Sequence, residues 1–168
     1  ATELMARPRL LALLLVAAAF TPAPLRAQGF GDSFGRWQQQ PRSCQLRLPV
    51  GGKVSCRSVQ LDQRNPLVLR LSLLAPGPLR GGLQQLTLAG QLQPGSQPMP
   101  CRQGVCELKA PLQLQLASVS ETQFDGRGLA QGVPRITAVQ GQCRIDPNAI
   151  RCEARSELAS GWTVSLSL

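Results

Sequence analysis

Six cysteines are the residues of this chain best suited to chemistry, and their spacing decides which chemistry to expect. A redox centre of the Cys-x-x-Cys kind needs two intervening residues beside a helix N-terminus, where the thiol pKa is lowered. None of the cysteines is spaced in that way, and no helical period lies near them. The sequence therefore predicts permanent disulfide bonds, the usual state of an even number of cysteines in an exported chain.

The pairing of the cysteines is predicted from local symmetry. Residues 142–153 read almost the same from both ends, so folding the chain at Pro147 places Cys143 opposite Cys152. Because Pro147 excludes a type I′ turn, we expect a four-residue loop over residues 146–149 and a hydrogen-bonded cysteine pair. Cys101 and Cys106 are symmetric about residues 103–104, and Cys44 and Cys56 about Val50, which predicts three hairpins with the bridges Cys44–Cys56, Cys101–Cys106 and Cys143–Cys152.

The rest of the composition removes most catalytic chemistry. The chain has no histidine, which excludes Ser-His-Asp and Cys-His triads, the usual zinc and copper sites and the commonest general base. The acidic residues after Ala27 are dispersed, and no local pair suggests a glycosidase or a calcium loop. We therefore expect a protein that is not an enzyme and that holds no cofactor or metal.

The elements that must position the cysteines are strands. Apolar and polar residues alternate over residues 67–74, 86–92, 108–116 and 162–168, and no segment has a helical period. Since proline cannot donate to a ladder, Pro111 predicts either an edge position for the third of these strands or a proline that faces away from the neighbouring strand. The pattern indicates an all-β fold, an antiparallel β-sandwich or curled sheet of about 8–10 short strands built from disulfide-stapled hairpins.

The N-terminal residues are typical of a secretory signal peptide. Arg7 and Arg9 precede an apolar run over residues 10–20, which is too short to span a membrane, and cleavage is expected after Ala27. A bacterial protein that is periplasmic or secreted, with no transmembrane helix after cleavage, is the resulting expectation. The predicted organisation is a leader and signal peptide over residues 1–27, a loose segment over residues 28–42 and one all-β domain over residues 43–168.

After that cleavage the chain keeps 15 of its 18 lysines and arginines and 8 of its 9 acids, a net charge of +7. A basic exported protein is attracted to acidic polymers of the envelope. Arg144 and Arg151 are expected opposite each other in the last hairpin, and Arg155 continues their face. These three arginines are the predicted anion-binding residues, and simple solvation with screening by salt is the favoured alternative explanation for them. No specific nucleic-acid partner is expected.

Two functions follow from these features. The first is a structural or protein-interaction module of the envelope that works through sheet edges, and the C-terminal strand is the predicted edge because no charge or proline blocks it. Its inward-facing residues are Trp162, Val164, Leu166 and Leu168. The alternative is a basic binder of anionic lipid, lipopolysaccharide or polysaccharide. A small outer-membrane barrel and a protease inhibitor presenting Arg102 are less favoured.

Overall fold

The structure, a computed structural model, describes residues 33–158 and 161–168. Their secondary structure is entirely β, which confirms the predicted class, with twelve strands in place of the expected 8 to 10. The strands are β1 (Gly35–Gln39), β2 (Ser43–Leu48), β3 (Gly52–Val54), β4 (Ser58–Gln63), β5 (Val68–Pro76), β6 (Leu83–Leu92), β7 (Cys101–Arg102), β8 (Gly104–Cys106), β9 (Leu112–Phe124), β10 (Arg135–Asp146), β11 (Ala149–Arg155) and β12 (Trp162–Ser167). The predicted signal peptide and its cleavage site lie outside the described residues.

All twelve strands belong to one sheet, in the order β3-β2-β12-β11-β10-β9-β6-β5-β4-β1-β8-β7. Neighbouring strands are antiparallel except for β1 and β8, which run parallel over two residues. The curled-sheet form of the prediction therefore describes the architecture, and a sandwich of two sheets does not. Strand β1 also lies within the segment that was expected to be loose, because it pairs along its whole length with β4.

The core is the inner face of this sheet. Period-two alternation places every second side chain there, and Leu69, Leu71 and Leu73 of β5 are fully buried. Ile145 and Ile150, which are paired across β10 and β11, are buried to the same degree. Each such side chain contributes about 1.5–3 kcal/mol relative to an exposed position, so this face holds the fold together.

The sheet bends at an irregularity shared by three strands. Strand β9 has one extra residue, Ala117, between the positions that pair with Ala89 and Gly90 of β6. On its other side the register with β10 shifts between Ala138 and Gly141. An extra residue in one strand bends it and increases the local twist, so these coincident shifts curl the sheet.

Two glycines allow the backbones to come together at that bend. A Cβ atom on Gly90 would lie 2.0 Å from the carbonyl oxygen of Gln115, and one on Gly141 would lie 2.0 Å from that of Glu153. No side chain fits at such distances. Glycine is therefore required at both positions by the close approach of β6 to β9 and of β10 to β11.

The curl brings distant strands into contact through the interior. The indole Nε1 of Trp162 on β12 donates to the Glu121 carboxylate on β9 at 2.6 Å, although β11 and β10 lie between these strands. Leu46 of β2 and Leu86 of β6 line one small cavity of about 30 Å³. These contacts show that the inner face is covered by the sheet itself.

All three predicted disulfides are present, but one turn differs from the prediction. Asp146 pairs with Ala149, so the loop of the last hairpin has two residues, and the predicted four-residue loop is wrong. Asn148 keeps a negative φ, which a two-residue turn beginning at Pro147 permits. The Cα atoms of Cys143 and Cys152 are consequently 4.1 Å apart, as in a pair without mutual hydrogen bonds.

The predicted strand over residues 108–116 also needs correction. Strand β9 begins at Leu112, after Pro111, and runs to Phe124 as the longest strand of the sheet. It is paired on both sides, with β6 and with β10, so the expected edge position is wrong. Pro111 lies outside the ladder and therefore does not restrict where the strand can pair.

Candidate functional site

The C-terminal strand, which the sequence indicated as the interacting edge, lies inside the sheet. Strand β12 pairs with β11 on one side and with β2 on the other, so the predicted edge position is wrong. Its inward-facing residues are core residues, each less than 10 % exposed: Trp162, Val164, Leu166 and Leu168. The end of the chain is a central strand because β2, far earlier in the sequence, pairs with its free side.

An open backbone edge occurs instead in the middle of the sheet, along the first part of β10. Strand β10 pairs with β9 from Arg135 onward, but its pairing with β11 begins only at Gln140, opposite Arg155. Residues 135–139, called here the open half of β10, thus have one paired side over residues 135–138, and Val139 lies at the register shift between β10 and β9. Within the described part of the chain, no strand occupies the other side.

The surface beside the open half is apolar and concave. Ile136 is 71 % exposed, and Val133 and Leu158 nearby are almost fully exposed. A depression of about 720 Å³ extends from residues 136–140 of β10 to residues 155–158, which follow β11. Exposed apolar side chains that adjoin an unpaired strand edge are a feature of protein-binding surfaces.

Charged residues line part of this depression, and another charged residue begins the open half. Arg155 is at its inner end, where β11 stops, and Glu157 follows two residues later. Arg135 begins the open half and pairs in register with Glu121 on β9. Since Arg135 and Arg155 are exposed, the open half has a basic residue near each end.

The three predicted anion-binding arginines lie on the outer face of the closed half of β10 (residues 140–146) and of β11. Arg144 is directly opposite Arg151, as predicted, and Arg155 is opposite Gln140 on the same face. All three are exposed. The structure therefore brings them together as one surface, but Arg155 is also the residue that adjoins the open half.

One carboxylate partly balances this face. Arg144 Nε donates to Asp146 at 2.9 Å, and this hydrogen bond with its charge raises the pKa of Arg144 above its ordinary value. The bond uses one of the five donors of the guanidinium and fixes its orientation. Among the described residues, no carboxylate lies within 4.0 Å of the Arg151 or Arg155 guanidinium.

The tight hairpin of β7 and β8 was considered for redox and inhibitor chemistry. Cys101 and Cys106 are bonded to each other, and all six cysteines are in disulfides. The turn has positive φ at Gln103 and Gly104, so Arg102 is held in a short strand next to a two-residue turn. The inhibitor hypothesis stays a prediction.

Within the described residues, no three His, Cys, Asp or Glu side chains are grouped as metal ligands. The described residues also contain no helix with the length and apolar character that a membrane crossing needs. No known family model matches the chain, and comparisons with curated proteins and with solved structures find no similar one.

The sequence indicates the strand that contains the open half, but it does not indicate that one side of this strand is unpaired. Residues 136–139 are recognisable as a strand, yet nothing in them says how far the neighbouring strand extends. One signal was present after Arg155, where the alternation of β11 gives way to Ser156, Glu157 and Leu158. The loss of the period marks the point at which β10 loses its partner.

Proposed function

We propose that this protein is an exported, non-enzymatic interaction module that binds an extended segment of a partner protein along the open half of β10. The partner strand would occupy the position that β11 leaves after Arg155. Binding through a sheet edge is the function expected from the sequence, but the edge is the open half of β10 and not the C-terminal strand. The observation that carries it is the start of an otherwise doubly paired strand, where residues 135–138 pair with β9 and no described strand occupies the other side.

The backbone of the open half supplies the affinity in this proposal. In an antiparallel ladder, alternate residues direct both their N–H and their C=O toward the same neighbour. Five residues therefore offer two or three such positions to an incoming strand. The added strand would extend a sheet that β9 already holds in place, so little ordering of this protein opposes binding.

Side chains beside the open half supply the selectivity. Ile136 and Leu158 border the depression of about 720 Å³, and burying them would remove exposed apolar surface from water. The matching segment is extended, with apolar side chains at alternate positions. An acidic residue near its end would lie beside Arg155.

The disulfides support the exported location. Three bridges in one domain are typical of an oxidising compartment and rare in the cytosol. In the first 27 residues, basic residues are followed by an apolar run and then by small residues, which supports the same location. A histidine-free chain further favours binding over catalysis.

The proposal is tested with a phage-displayed library of linear heptapeptides, selected on the disulfide-bonded protein. Affinities of selected peptides are then measured by calorimetry for the wild type and for Ile136→Lys, which places a charge on the open half. We expect at least a tenfold loss of affinity. Val50→Lys is the matched control, because Val50 is equally exposed but lies in the β2–β3 turn.

Amide hydrogen exchange locates the bound peptide independently of any substitution. The amides of residues 135–139 should become protected on binding, whereas those of β2 and β3 should not change. Protection at β3 or β7, or equal peptide affinity for the two lysine variants, would refute the proposal. Protein that dimerises with concentration and protects the open half in the dimer would assign the site to a second copy instead.

A further inference from the structure

A second surface, on the outer face of β9, β10 and β11, is built from arginine and glutamine side chains in register. Gln113, Arg144 and Arg151 form one row across the three strands. In the adjacent row Gln142 is opposite Glu153. Rows of this kind repeat about every 7 Å along a strand, and side chains within a row are about 5 Å apart.

Two adjoining depressions lie along these rows. A depression of about 330 Å³ is bordered by Gln113, Arg144 and Arg151, and another of about 230 Å³ is bordered by Arg155. Gln142 and Glu153 border both depressions. We define the outer groove as these two depressions together and by six of the residues that line them: Gln113, Gln142, Arg144, Arg151, Glu153 and Arg155.

The charges of the outer groove are not balanced by the described residues. Arg144 and Arg151 are directly opposite each other, an arrangement that destabilises a strand pair when nothing screens it. Asp146 pairs with Arg144 alone. An anion bound between the two guanidinium groups would relieve their repulsion, and the fixed Arg144 could still donate from its remaining N–H groups.

The positions of the charges suit a polymer rather than a single small anion. Arg155 lies four residues beyond Arg151, which corresponds to about 13 Å along the strand. Between these two cationic ends lies the amide of Gln142, which both donates and accepts hydrogen bonds. The groove thus alternates positions for acidic groups with a position for hydroxyl groups.

We propose that the outer groove binds a linear acidic polysaccharide, with its carboxylate or sulfate groups on Arg144, Arg151 and Arg155 and its hydroxyl groups on the glutamine amides. This site shares Arg155 with the end of the backbone edge proposed above, but it does not depend on a strand binding there. Glu153 would repel an anion at the centre of the groove. It therefore restricts the acidic groups to the two ends and leaves the centre for uncharged hydroxyls.

The lining favours a polysaccharide over the other common polyanions. Single-stranded nucleic acids bind largely by stacking their bases on aromatic side chains, and none of the six lining residues is aromatic. A membrane surface would be met by apolar side chains that enter the acyl boundary, and the groove has none. Amides and guanidinium groups fit a ligand composed of hydroxyls and acidic groups.

The test uses polyuronate chains of about ten residues as the probe, with neutral dextran of similar length as the reference ligand. Arg144→Gln with Arg151→Gln should weaken polyuronate binding at least tenfold and make it less dependent on salt. Arg57→Gln with Arg80→Gln is the matched control, since it removes the same charge from exposed positions elsewhere. That control should weaken binding less than threefold.

Thermal unfolding separates loss of the site from loss of the fold. The variant with both groove arginines replaced should melt no lower than the wild type, because the substitution removes a like-charge pair. Gln142→Ala should weaken polyuronate binding about threefold without altering its salt dependence. Equal weakening by the two double variants would show only general charge attraction and would overturn the proposal, as would tighter binding to oligo-dT or to phosphatidylglycerol vesicles.

Discussion

Both halves of strand β10 are extended, but they differ in their neighbouring strands. In the closed half, residues 140–146 are paired with both β9 and β11, and Cys143 and Ile145 are buried. In the open half, residues 135–138 pair with β9, no described strand occupies their other side, and Ile136 is mostly exposed. Val139, which ends the open half, is 7 % exposed and belongs to the core. Whether an apolar side chain of this strand is core or surface therefore depends on the face from which it projects.

The difference in pairing between the two halves is set by the length of β11, whereas the difference in burial between Ile136 and Ile145 follows from the alternation of side chains along β10. Ile136 lies on the outer face with Gln140 and Arg144, whereas Ile145 lies on the inner face with Cys143. A soluble strand normally carries polar residues outside, so an outward isoleucine beside an unpaired edge is the exception. That exception is what distinguishes the open half from the arginine and glutamine surface a few residues further along.

The largest effect should come from truncating the same residue type in each half. Ile145→Ala removes a side chain that is 0 % exposed and should cost about 2–5 kcal/mol of unfolding free energy. Ile136→Ala should change stability by no more than about 0.5 kcal/mol. Denaturant unfolding of the disulfide-bonded protein measures both. Comparable losses for the two variants would mean that the open half is covered by something in the isolated protein.

A substitution at Gly141, where the two halves of β10 meet, should destabilise the fold nearly as much. In Gly141→Ala, the new methyl group would meet the Glu153 carbonyl oxygen, so β10 and β11 must separate at the place where their pairing begins. We expect a loss of about 1–3 kcal/mol. Gly126→Ala is the control, because its Cβ would have no neighbour closer than 3.6 Å. If both glycine variants unfold at the same denaturant concentration, the close approach does not require glycine.

The comparison also separates what the sequence could predict from what it could not. The three disulfides and their hairpins were predictable because each joins residues at most 12 positions apart, within one symmetric stretch. The direction of each side chain, inward or outward, could be predicted equally well, since alternation along a strand fixes it residue by residue. These features depend on local geometry alone.

Strand order depends on pairing between distant segments, and the edge strand predicted from the sequence was wrong. Alternation in residues 162–168 indicates a strand with one buried face but does not identify its lateral neighbours. The partner on its free side is β2, with Leu166 opposite Cys44. An uncharged strand at the end of the chain suggested an edge, whereas the same lack of charge suits a central strand equally well. The open half of β10 was missed for the same reason.

The hydrogen bond between Trp162 of β12 and Glu121 of β9 should stabilise the open half more than the closed half. Trp162→Phe keeps the aromatic ring but removes the donor to Glu121, whose register partner on β10 is Arg135. We expect a loss of about 1.5 kcal/mol, since the acceptor is a carboxylate. Amide exchange should become faster in residues 135–139 than in residues 140–146.

Trp37→Phe is the control for that experiment, because Trp37 is partly buried against the same core and lies on β1, across the sheet from β10. Its replacement should not alter the ratio of exchange rates between the two halves. Uniform acceleration of exchange by Trp162→Phe would argue that the bond closes the whole sheet and has no particular relation to the open half.

The smallest expected effect concerns the loop that leads from β9 into the open half. The Asp125 carboxylate accepts hydrogen bonds from the backbone N–H groups of Leu129 and Arg127, at 3.0 and 2.9 Å, and the bond from Leu129 is the main reason that the pKa of Asp125 is lowered. Because the folded pKa lies below the ordinary value of about 3.9, these bonds contribute fully above that pH and are lost as the pH falls through the folded pKa. An NMR titration should therefore show the amide signals of Leu129 and Arg127 shifting with a midpoint below about 3.9. Asp125→Asn retains the acceptor oxygen but cannot ionise, so it should keep the loop ordered and abolish this shift. A midpoint above the ordinary value, or a shift that persists in the asparagine variant, would show that another group controls the approach to the open half.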